Sequence, residues 1–168
     1  MRKLLALLVL AGLMPGCVAT VSPRATVGLR FGFDLTPTIV RLEPDRGQGS
    51  SYFVNEFVKF YLTLNRPGYV ALVAIDPNGQ TYEFSRYYLQ AGSYTLAGPQ
   101  GNPNFGFQLR PPRGIERVRA IYTDSPYPPG FAFSGVYTYD TWDRQTSIYL
   151  RETGARVRDV AETYFYIR

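Results

Sequence analysis

The chain has 168 residues, 45% of them hydrophobic, and a formal charge of +5. That length and apolar content suit a single domain with a sizeable core and argue against a disordered chain. With no histidine and a single cysteine, Cys17, the sequence excludes Ser-His-Asp and Cys-His catalysis, histidine metal ligation, an intramolecular disulfide and a thiolate zinc site.

The first 16 residues read as an export signal. Arg2 and Lys3 form a short basic start, and an apolar run from Leu4 to Met14 follows. The run is too short to span a bilayer, which needs roughly 20 apolar residues. A basic start, a short apolar core and a small residue before a cut form the pattern of a secretory leader. The stretch Leu13-Met14-Pro15-Gly16-Cys17 resembles the lipobox of bacterial lipoproteins, in which a small residue precedes the lipidated cysteine. That resemblance implies acylation of Cys17 and a stable membrane anchor, since two or three acyl chains hold where one is marginal. Loss of Arg2 and Lys3 with the leader lowers the formal charge from +5 to +3. A nucleic-acid partner then has little support.

Residues 17–25 follow as the lipidated cysteine and a tether, and residues 26–168 as one β-rich domain. Tyrosine (14), phenylalanine (11), glycine (16) and proline (13) are plentiful, a usage that favours strands joined by turns. Thr26 to Phe33 alternates, with Val27, Leu29, Phe31 and Phe33 on one face, which predicts a half-buried strand. Residues 37–43 form a second, shorter candidate, and residues 44–51 have turn composition. From Glu56 to Asn65, Val58, Phe60, Leu62 and Leu64 point to the core. The next run, Tyr69 to Ile75, has lost alternation, so it belongs to a central strand covered on both faces or to a contact surface.

Asp76-Pro77-Asn78-Gly79 then raises a choice between a calcium loop and a hairpin. The spacing fails the calcium pattern and no acid closes the loop. Pro77, Asn78 and Gly79 suit a type I turn followed by a glycine bulge, so a hairpin is expected. Residues 87–98, 104–110 and 115–124 supply further strands. Asp140 is the expected N-cap of a helix from Thr141 to Glu152, with Gly154 as its stop. Residues 159–168 close the chain as a strand with Ala161, Thr163, Phe165 and Ile167 on one face. Seven or eight short strands with one late short helix predict a mainly β domain, an Ig-like β-sandwich or a barrel-like fold.

The block from Tyr52 to Phe84, then Ala91 to Leu96, then Phe105 to Pro126 resembles the bacterial domain of unknown function 4384 family over about residues 38–126. Its marks are an apolar strand ending at Ile75-Asp76, a turn at Gly79 and the Pro-Pro-x-Gly element at Pro111 to Gly114. The resemblance implies a compact β-rich accessory domain of envelope or multidomain proteins. It transfers no catalytic residue and no cofactor.

The remaining candidates are surface groups. The 13 carboxylates fall mostly at turns, caps or outward strand positions such as Glu83 and Glu116, so a hydrolase built on a carboxylate pair is the weakest reading. Arg110, Arg113, Arg117 and Arg119 cluster in sequence, and Arg117 and Arg119 share a strand face. They suit either a solubilising face or contact with an anionic partner. Tyr87, Tyr88 and Tyr127, with Tyr137 and Tyr139, fall in loops or near element ends, where most are expected to pack on the core or loops and exposed ones serve protein interfaces or stack on sugars. The sequence therefore points to a non-enzymatic, lipid-anchored cell-envelope protein that binds or assembles with an envelope protein. A glycan-binding module using exposed tyrosines is the alternative.

Overall fold

The computed structural model describes residues 34–98 and 106–168. Cys17 with its leader and tether, the strand expected at 26–33, and Phe105 lie outside the described residues. Among the described residues eleven strands and one helix follow in order: β1 Ile39–Pro44, β2 Ser51–Tyr52, β3 Phe57–Val58, β4 Phe60–Leu64, β5 Gly68–Ile75, β6 Gln80–Leu89, β7 Gly92–Leu96, β8 Phe107–Gln108, β9 Gly114–Thr123, β10 Ser134–Val136, α1 Tyr139–Glu152 and β11 Arg158–Ile167.

Three layers result. A six-stranded sheet of order β10-β6-β5-β9-β11-β2 carries a three-stranded sheet, β1-β4-β7, and a two-stranded ribbon, β3-β8, on one side. The helix covers part of its other side. The domain is mainly β and sandwich-like, and no barrel closes among the described residues.

The apolar run at residues 69–75 becomes the middle of the large sheet. β5 pairs antiparallel with both β6 and β9. Val70, Leu72 and Ala74 enter the core between the sheets with Phe60, Leu62, Leu64 and Phe165. Ala71, Val73 and Ile75 enter a second core with Ile121, Trp142, Tyr149 and Val160 beneath the helix. Two buried faces remove the need for polar alternation. The hairpin after β5 is the expected one. The amides of Asn78 and Gln80 donate to Asp76 Oδ1, each at 2.8 Å, and Gly79 takes φ +82°.

The helix begins two residues earlier than expected. Thr138, not Asp140, is the N-cap, and its hydroxyl accepts from the Thr141 amide at 3.2 Å. Asp140 stays exposed in the first turn, where a negative charge still suits the helix dipole. Trp142, Asp143, Thr146, Tyr149 and Leu150 form the buried stripe, a spacing that returns to one helical face. Gly154 sits at φ +62° just beyond the end, as a C-terminal stop should.

Candidate functional site

One face of the β9–β11 ladder changes character along its length. The cross-strand pairs are Ile121 with Val160, Arg119 with Glu162, Arg117 with Tyr164, and Ile115 with Tyr166. The first pair is apolar and lies under the helix. The last has reached solvent, with Ile115 37% and Tyr166 36% exposed. The helix starts at Tyr139 and leaves this end of the sheet face uncovered.

Arg119 corrects the expectation that it shares a solvent face with Arg117. It is fully buried. Its Nε and Nη2 donate to Glu162 Oε2 at 3.0 and 2.9 Å, its Nη1 donates to Thr146 Oγ1 at 2.9 Å, and Nη2 also pairs with Asp143. The guanidinium lies 3.6 Å from the Trp142 ring centroid. Tyr139 donates to both oxygens of Glu162, at 2.7 and 2.9 Å. The fork of an arginine satisfies two carboxylates and a hydroxyl at once, which lets the charge be buried. Arg119 clamps helix to sheet.

Arg117, one pair further out, is partly exposed. It sits 3.8 Å from Glu162, and its guanidinium faces the rings of Tyr139 at 5.5 Å and Tyr164 at 5.8 Å. Tyr164 and Tyr166 meet edge to face at 6.0 Å. Beside them the β5–β6 turn and Tyr137 wall a shallow cleft of about 530 Å³ that includes Asp76, Asn78, Arg117 and Tyr139. The result is an aromatic and basic patch continuous with an open cleft.

The other candidates scatter. Arg110 and Arg113 are exposed in the segment between β8 and β9. Tyr88 is 57% exposed on β6 and packs at 4.9 Å against Tyr69. Tyr87 is half-buried against the main core, and Tyr127 is tied down, its hydroxyl donating to the carbonyls of Tyr87 at 2.6 Å and Val70 at 3.2 Å. Burial pushes the Tyr127 phenol up to about 12. These two tyrosines are half-buried and seat a loop on the sheet, the packing role expected for most of the loop tyrosines. Glu116 also departs from expectation, since it points into the interior and is 6% exposed. The structure brings Arg117 together with Tyr137 and Tyr139. Sequence reasoning assigns no role to Ile115, Tyr164 and Tyr166, whose signal is a strand face with apolar or aromatic residues beyond the start of the helix.

Residues 51–126 match the family model described as domain of unknown function (DUF4384), so the resemblance holds from β2 through β9. The matched segment contains Ile115 and Arg117. Tyr137, Tyr139, Tyr164 and Tyr166 lie beyond it. No curated protein and no solved structure matches the chain. Among the described residues no helix is long and apolar enough to cross a membrane.

Proposed function

With a domain of unknown function of this family as its β core, we propose that the chain is a non-enzymatic contact module of the bacterial cell envelope. It is held at a membrane by lipid on Cys17 and binds another envelope protein through the uncovered end of the β9–β11 face. The observation that carries this reading is the run of Arg117, Tyr164, Ile115 and Tyr166 from half-buried to exposed on one sheet face. Exposed aromatics beside an arginine supply contact area with little rotamer entropy to lose, and such groups dominate the energetics of protein interfaces.

The test has two arms. Cys17→Ala removes the acylated thiol and releases the protein from membranes or leaves it as a precursor. Ile115→Ser with Tyr166→Ser leaves the anchor and fold intact and reduces recovery of a co-purifying envelope protein in mild detergent. A wild-type protein that is soluble and unacylated overturns the anchor, and unchanged recovery from the double variant overturns the face.

A second reading rests on the cleft beside that face. Tyr137 and Tyr139 flank Arg117, Asp76 and Asn78, which joins aromatic rings with planar polar groups, the pairing that sugars require. Retention of the protein on purified envelope polysaccharide, lost in Tyr137→Ala, favours this reading over the first.

A further inference from the structure

On the opposite side of the large sheet, a half-open cavity of about 790 Å³ lies between β3, β4, β6, β8 and β9. Its apolar wall is a cluster of phenylalanines. Phe84 and Phe107 meet edge to face at 4.7 Å, and Phe60 lies 5.9 Å from each. Glu116 enters this wall from β9, and the Tyr82 hydroxyl donates to its Oε1. Among the described residues no arginine or lysine pairs with Glu116.

A buried carboxylate without a cation is expensive, and burying this one serves no packing purpose that leucine would not serve better. The groups around it sharpen the case. Asp76, at the β5–β6 turn, is a second acid that lines the cavity, Tyr82 on β6 is a neutral donor, and Arg110 lines the cavity while staying exposed. Across β9, Glu116 pairs in register with Phe165 of β11, which is apolar. The interior therefore offers an apolar bed ending in negative charge, a chemistry that selects an apolar chain or ring bearing a cationic head.

We propose that this cavity binds an apolar molecule carrying a protonated amine, with Glu116 as the carboxylate that receives the amine. The site lies on the other face of the sheet from Ile115, Arg117, Tyr164 and Tyr166, shares Asp76 with the cleft beside them, and stands whether or not that face binds a protein. Burial of the carboxyl, with Asp76 nearby, raises its ordinary value to about 7. An ammonium ligand favours the ionised form, so binding releases a proton below that value and tightens as pH rises from 6 to 8.

The experiment is titration calorimetry of the purified full chain with decylammonium, decanol and decanoate, each below its aggregation concentration. Decylammonium is expected to bind saturably at pH 8, at least tenfold tighter than decanol or decanoate. Glu116→Gln keeps shape and fold and should cost the amine about tenfold while leaving decanol unchanged. Carbon-13 NMR of the Glu116 carboxyl supplies a second readout, since bound amine should lower its titration midpoint. No saturable amine binding, decanoate binding as well as the amine, or an amine affinity unaffected by Glu116→Gln overturns the proposal.

Discussion

The Arg119 guanidinium lies over the Trp142 ring, 3.6 Å from its centroid, while its nitrogens reach Glu162 and Asp143. A strand residue, a helix residue and the closing strand are thus joined through one buried cation. Removing that cation leaves Glu162 and Asp143 facing each other with little water. Arg119→Met should destabilise the domain by about 3–5 kcal/mol, the range for breaking a buried ion pair from one side. Arg119→Lys keeps the charge but not the fork and should fall between the two. Urea unfolding followed by circular dichroism measures both. A loss below 1 kcal/mol for Arg119→Met contradicts the clamp.

Glu116 makes stability depend on pH. Its carboxyl sits at about 7 in the fold, raised first by burial and then by Asp76, with the Tyr82 hydrogen bond partly opposing the rise. Because the folded value lies above the unfolded one, the fold holds the proton more tightly. The stabilisation is full below about 4.5 and is lost as pH climbs through about 7. Glu116→Gln removes this dependence. Its stability relative to wild type should improve between pH 4 and pH 8 by on the order of 3 kcal/mol. Denaturant midpoints at both pH values check this, and a difference that does not change with pH rules it out.

Phe60 is 1% exposed and packs against Phe84, Phe107 and Phe165. Phe60→Ala opens a hole at the junction of both small sheets with the large one. The expected cost is about 3–5 kcal/mol. Equilibrium unfolding measures it, and a cost near zero means that the core between the sheets is not assembled around this ring.

The strands were legible where one physical constraint acted alone. Val58 on β3 and Phe60, Leu62 and Leu64 on β4 alternate because this stretch has one buried face, and all four are in the core. Val70 to Ile75 lost alternation because both faces of β5 are covered, and the sequence reading allowed for that. Arg119 was misplaced because its burial depends on Trp142, Asp143 and Glu162, which lie on elements 23 to 43 positions further along. A strand face looks the same in sequence whether or not a later helix covers it. Glu116 was read as outward for a related reason. Its neighbours Val118 and Ala120 line the core face, but the outward alternative at Arg117 and Arg119 is equally polar. The uncovered end of the β9–β11 face was invisible because it is defined by where the helix starts, and Thr138 rather than Asp140 sets that point.

The uncovered end of the β9–β11 face is proposed to meet another protein. The most direct measurement is site-specific photocrosslinking in intact cells, with a photoreactive phenylalanine analogue at Tyr166 and, as control, at Arg151, an exposed position in the last turn of the helix. Contact through this face predicts a discrete higher-mass adduct from position 166 that is weakened by Ile115→Ser and absent from position 151. No adduct at position 166, or the same adducts from both positions, contradicts it.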